Sequence, residues 1–198
     1  MTKQPRTKPK TNRAGNAAVS LPMDCCQTPL YALDPLLPYL DPAWIIWEPA
    51  EGKGNIVRGL NTAGYSVYAT DIQTGLNFFD FVPFHWDALV TNPPYSIKYP
   101  WLDRCYALGK PFAVLLPIDT IGSQKAQRLF ARYGVEIIYM DKRVNFDMPN
   151  TGYSGSAQFS TAWFTWHLGI GKENTYTTLT RCADSDWIPP MLGGASDD

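Results

Sequence analysis

The chain has 198 residues and a formal net charge of −1, with 45% hydrophobic and 18% charged residues, which describes one ordinary globular domain able to bury a substantial core. No apolar run is long enough to span a membrane and the polar, basic start is unlike a secretory leader, so membrane and secreted classes are excluded as readings of this sequence. Cys25, Cys26, Cys105 and Cys182 have no C-x-x-C spacing, which argues against a zinc site or disulfide framework and for a reduced, cytoplasmic setting.

Charge is unevenly spread. Lys3, Arg6, Lys8, Lys10 and Arg13 all precede the first acid, Asp24, so residues 1–20 read as a basic disordered arm that aids solubility or meets phosphates. A domain is expected over 21–170. "TPLYALDPLLPYL" (28–40) predicts a short helix broken by prolines. "WIIW" (44–47) predicts a buried strand, after which Gly52 and Gly54 open a helix carrying Ile56, Val57 and Leu60, with Gly64 as its stop. "YSVYAT" (65–70) predicts a second strand ending at Asp71, and "DALVT" (87–91) a third ending at Asn92.

A helix is expected from about Trp101 to Gly109, a strand at "PFAVLLP" (111–117), and an amphipathic helix at "SQKAQRLFARYG" (123–134). "VEIIYM" (135–140) and "STAWFTWHL" (160–168) predict the last strands, joined by a Gly/Ser-rich loop. Residues 171–198, with Asp184, Asp186, Asp197 and Asp198, are expected to form a loosely packed tail. Strands alternating with helices predict an α/β, mainly parallel sheet covered on both faces.

In such sheets ligands bind beyond the carboxyl ends of the strands. Glu48-Pro49-Ala50-Glu51-Gly52-Lys53-Gly54, Asp71-Ile72 and Asn92-Pro93-Pro94-Tyr95 would crowd that edge. The first group is neither a P-loop nor a full G-x-G-x-x-G, and serves equally as a tight connection or a ligand turn. Asp71 sits where an acid binds ribose hydroxyls, though it could simply cap a turn. Glu48 adds a carboxylate suited to an amine-bearing nucleoside.

Asn92-Pro93-Pro94-Tyr95 is more telling. An exocyclic amine on adenine or cytosine is a poor nucleophile because its lone pair is delocalised into the ring. The Asn92 side-chain oxygen and a Pro93 carbonyl, held in place by the Pro94 ring, would accept the amine hydrogens and aim the lone pair at a methyl electrophile. Tyr95 offers a face for the base, which must leave a duplex stack to reach it. With 14% aromatic residues the chain is well supplied for stacking.

These motifs resemble class I S-adenosylmethionine-dependent amino-methyltransferases, and most of all small phage-type DNA adenine-N6 methyltransferases, over about Thr28 to Leu168. The resemblance implies a Rossmann-like fold with a seven-stranded, mostly parallel sheet, helices on both faces and an antiparallel last strand. It also implies S-adenosyl-L-methionine as cofactor, DNA as partner (RNA possible), no metal, and host cytoplasm as the location. Asn92, Pro93, Pro94 and Tyr95 then carry catalysis. The cofactor falls to Thr28, Pro29, Glu48, Pro49, Ala50, Gly52, Gly54, Asp71, Ile72 and Asn92. Where the family has Asp-Phe for the cofactor adenine, this chain has Asn77-Phe78, with Asp80 as a displaced candidate. Phe146 would form the second wall around the flipped base and Arg143 would contact phosphate, a core Phe being an equal reading. No segment is large enough for a separate recognition domain, so specificity is expected to be short or relaxed.

Other substrates share the motif: cytosine N4, RNA, and the amide of protein glutamine. A catalytically inactive nucleic-acid-binding or decoy protein of the same fold is the non-enzymatic alternative. His85 and His167 are the only histidines and neither lies in a ligand or triad pattern. The sequence does not indicate the recognised site or the oligomeric state.

Overall fold

Alternating burial along each strand sets the layers of this protein. In a computed structural model describing residues 24, 26–147 and 159–190, the strands are β1 (Ile45–Glu48), β2 (Ser66–Ala69), β3 (Ala88–Thr91), β4 (Phe112–Pro117), β5 (Glu136–Met140), β6 (Thr161–Trp166) and β7 (Asn174–Thr177). The helices are α1 (Asn55–Thr62), α2 (Lys98–Leu108) and α3 (Gln124–Tyr133). They form one sheet in the order β2-β1-β3-β4-β6-β5-β7.

Successive side chains point to opposite faces of a strand. Ile46, Ala88, Val90, Ala113, Leu115 and Trp163 therefore join Ile56 and Leu60 of α1 in one core layer. Trp47, Leu89, Phe112, Val114, Leu116 and Phe164 join Trp101, Leu102 and Ala126 of α2 and α3 in the other. The expected α/β, Rossmann-like sheet with helices on both faces is thus what the chain forms. One detail differs: the antiparallel strand is the sixth, β6, inserted between β4 and β5, and β7 runs parallel to β5 beyond it.

Other differences have local causes. The prolines of 28–40 leave two 3-10 turns, Leu30–Leu33 and Leu37–Tyr39, in place of a helix. Their Leu30, Leu33, Leu36 and Leu37 are all buried. Helix α2 begins at Lys98, three residues before the expected start, because Pro100 falls in the first turn, where no intrahelical donor is needed. Residues 171–190 are not a loose tail. They supply β7 and bury Leu179 and Trp187, while Trp187 Nε1–H donates to Asp34 at 2.7 Å. The arm at 1–20, the end of the chain from 191 and most of the 142–160 loop lie outside the described residues.

Candidate active site

Strands β2, β1 and β3 are adjacent and parallel, so their carboxyl ends deliver the three sequence groups to one edge. Glu48 closes β1 and is fully buried. Its Oε1 accepts from the Ala50 amide at 2.8 Å and from the Thr91 hydroxyl at 2.6 Å, the latter tying the end of β1 to that of β3. Its Oε2 is buried without a partner. Burial pushes the Glu48 carboxyl up to about 8, against the two hydrogen bonds that favour its charge, and the neighbouring charges of Asp71 and Glu51 push the same way.

Asp71 follows β2 with extended backbone and caps the 3-10 turn Ile72–Thr74. Its Oδ1 accepts from the Gln73 amide at 2.8 Å and its Oδ2 from the Gly52 amide at 3.0 Å. One backbone donor on each oxygen leaves lone pairs on both for a ligand hydroxyl. Ile72 beside it is 67% exposed, an unusual amount of open apolar surface next to a carboxylate.

The Gly turn is built differently from expectation. Gly52 has φ +55 and Gly54 φ +78, which favour glycine. The close approach at Gly52, however, is made by the protein itself: a Cβ there would stand 3.1 Å from Gln27 Nε2. Gln27 Oε1 accepts from the Lys53 amide at 3.0 Å, and the Gln27 backbone pairs with Asp147. A segment at Asp24–Thr28 thus straps the turns together, with Asp24 accepting from the Ser96 amide and hydroxyl at 3.1 and 2.6 Å. Gln27 and Asp24 carry no local sequence signal, because their partners are distant in the chain.

On the third turn, Asn92 Nδ2–H donates to Thr28 Oγ1 at 3.0 Å. Its Oδ1 is buried and unpartnered. Pro94 precedes a 3-10 turn, Tyr95–Ile97, whose Ile97 amide donates to the Pro94 carbonyl at 3.2 Å. Tyr95 is 8% exposed and its hydroxyl has no partner. Burial raises its phenol well above the ordinary value. Its ring meets Phe159 edge-on at 5.6 Å, and Phe159 in turn stacks at 6.2 Å on Phe146. The sequence reading missed Phe159, although it is the ring that links the two expected base-contacting aromatics.

Several expected residues lie elsewhere. Phe78 is a core ring, 2% exposed, stacked on Trp101 at 4.1 Å. Asn77 closes a local turn, with Nδ2–H on Asp80 Oδ2 at 3.0 Å and Oδ1 accepting from the Phe79 amide. Phe78 thus offers no open stacking face, and Ile72 is the apolar surface exposed beside Asp71. Arg143 is exposed, its carbonyl accepting from the Arg181 guanidinium. Pro29 precedes the Leu30–Leu33 turn. Among the described residues, no cluster of His, Cys, Asp and Glu could hold a metal ion and no helix is long and apolar enough to cross a membrane.

The edge therefore offers carboxylates at Glu48 and Asp71, an amide oxygen at Asn92 and open apolar surface at Ile72. A buried acceptor without a donor costs about 1–3 kcal/mol. The Glu48 and Asn92 oxygens both fit a ligand rich in N–H groups and positive charge, as the amine and sulfonium of S-adenosylmethionine are.

No protein-family model matches the chain, and no curated protein matches it. Among solved structures, it is similar to the crystal structure of a predicted O-methyltransferase from Agrobacterium tumefaciens. The TM-score is 0.38 at 14% identity, over 73% of this chain and 84% of that one. So distant a likeness carries no weight in assigning the residues above.

Proposed function

We propose that this protein transfers a methyl group from S-adenosylmethionine to the N6 amine of adenine in DNA. The observation that carries the reading is the buried, unpartnered Asn92 Oδ1 at the exit of β3, fixed from behind by Thr28. When bound, the cofactor supplies an electrophilic methyl group. Glu48 and Asp71 hold its amine and ribose hydroxyls. Asn92 Oδ1 and the Pro93 carbonyl accept the two hydrogens of the substrate amine, which favours a pyramidal nitrogen with its lone pair directed away from the ring.

An asparagine is too weak a base to remove a proton first, so these residues position the amine and the proton departs after transfer. Tyr95 and the Phe159–Phe146 pair supply the aromatic surroundings for an extruded base. The basic arm at 1–20 adds phosphate affinity without choosing a sequence.

Asn92→Ala separates this chemistry from folding. Turnover is expected to fall by about a hundredfold or more, the scale of losing one aligned electrostatic contact, while calorimetric cofactor affinity changes little. Parallel loss of both would make Asn92 a structural residue.

A further inference from the structure

We infer that Thr28 is a positioning residue, whose hydroxyl decides which end of the Asn92 amide faces the reacting amine. The inference rests on the proposed role of Asn92 and goes beyond it. An asparagine side chain carries an acceptor oxygen and a donor NH2 of nearly the same shape, and only its hydrogen-bond partners choose between the two orientations. The wrong orientation would set amide hydrogens against amine hydrogens and abolish the acceptor.

Thr28 Oγ1 lies 3.0 Å from Asn92 Nδ2 and accepts from it, so the NH2 end is engaged and Oδ1 is turned to the buried space where it has no protein donor. Thr28 is itself 4% exposed and is held from two sides. Its carbonyl accepts from Asn55 Nδ2, on the first residue of α1, at 3.1 Å. Its neighbour Gln27 is bonded in both directions to the Asp147 backbone, at 2.9 and 3.0 Å. The hydroxyl is therefore a fixed point, one residue type away from losing its function: Val keeps the β-branched shape and removes the lone pair.

This role differs from the contact to the cofactor that the sequence motif implies for Thr28, and the two are separable. A cofactor contact predicts weaker cofactor binding in Thr28→Val. A positioning contact predicts unchanged binding and slower transfer, with Thr28→Ser restoring most of the rate.

The test begins without substrate. The full chain is labelled with 15N-asparagine, and the Asn92 side-chain NH2 is assigned by its disappearance in Asn92→Ala. In the wild-type protein and Thr28→Ser its hydrogens are expected to exchange slowly with solvent. In Thr28→Val, with Thr28→Ala as a second variant should valine disturb folding, exchange is expected to accelerate. Turnover in Thr28→Val is expected to drop roughly tenfold to a hundredfold, with KM for DNA and Kd for the cofactor within about threefold of wild type. Unchanged Asn92 exchange in both Thr28 variants overturns the inference, as does cofactor affinity that falls in step with turnover. A wild-type protein that transfers no methyl group would count against the proposed function alone, because the exchange measurement still decides the role of Thr28.

Discussion

Burial holds the Glu48 proton to about pH 8 in the folded chain, well above the ordinary carboxylate range near 4.5. The sign of the effect on stability follows from proton counting. Below about pH 4.5 folded and unfolded chains both hold the proton, and the contribution of this site is fully present. Between about 4.5 and 8 the unfolded chain ionises while the folded chain resists, so stability falls as pH rises; above about 8 the loss is complete. The ceiling is on the order of 5 kcal/mol for a shift of this size. Urea unfolding of the wild type from about pH 5 to 8 is expected to show this decline, and Glu48→Gln, which keeps an oxygen for Ala50 and Thr91, to flatten it. Equal slopes in the two proteins would remove Glu48 as the cause. A cation bound beside Oε2 would draw the proton off, and the same residue would then couple ligand binding to pH.

At the scale of elements, α1 shows why local propensity is a poor guide to a packed helix. Gly59 lies inside it, where alanine would ordinarily gain about 1 kcal/mol. A Cβ at Gly59 would stand 2.4 Å from Leu33 Cδ1 and 3.3 Å from Leu30 Cδ2. Both leucines are buried in the 3-10 turn beneath the helix and have no open space to swing into. Overpacking of this kind costs about 1–3 kcal/mol. Gly59→Ala is therefore expected to lower the midpoint of thermal unfolding despite its better propensity; a raised midpoint would show that the turn yields.

The same contrast separates what could be read from the sequence from what could not. The apolar runs behind β1, β3, β4, β5 and β6 are visible because burial on both faces demands continuous hydrophobic residues. The edge strand β7, Asn174-Thr175-Tyr176-Thr177, is half exposed and polar, and looks like a loop until β5 pairs with it. The turns carrying Glu48, Asp71 and Asn92 were legible because each ends a strand. Gln27, Thr91 and Phe159 complete the site through contacts that spacing along the chain does not encode.

For the molecule as a whole, the C-terminal segment closes the fold. β7 covers the outer edge of β5, Lys142 Nζ donates to the Leu179 carbonyl at 2.9 Å, and the Leu30 amide donates to Asp184 at 3.0 Å. The last of these reaches back to the turn that leads on from the Thr28 strap. A chain ending at residue 170 would expose the buried surface under Leu179 and Trp187 and strand these partners. It is expected to lose cooperative unfolding, and a truncated chain that melts as sharply as the full one would show that this segment is dispensable.

The central claim is the chemistry of the amine at Asn92. Its most direct test is the product formed when the full chain is incubated with S-adenosylmethionine and unmethylated DNA, followed by digestion to nucleosides and mass spectrometry. The account predicts N6-methyldeoxyadenosine that is absent with Asn92→Ala. N4-methyldeoxycytidine in its place, or no methylated nucleoside from DNA while RNA or a glutamine-bearing protein is methylated, would contradict the assignment to adenine. A chain that binds no S-adenosylmethionine would contradict the methyl-transfer account altogether.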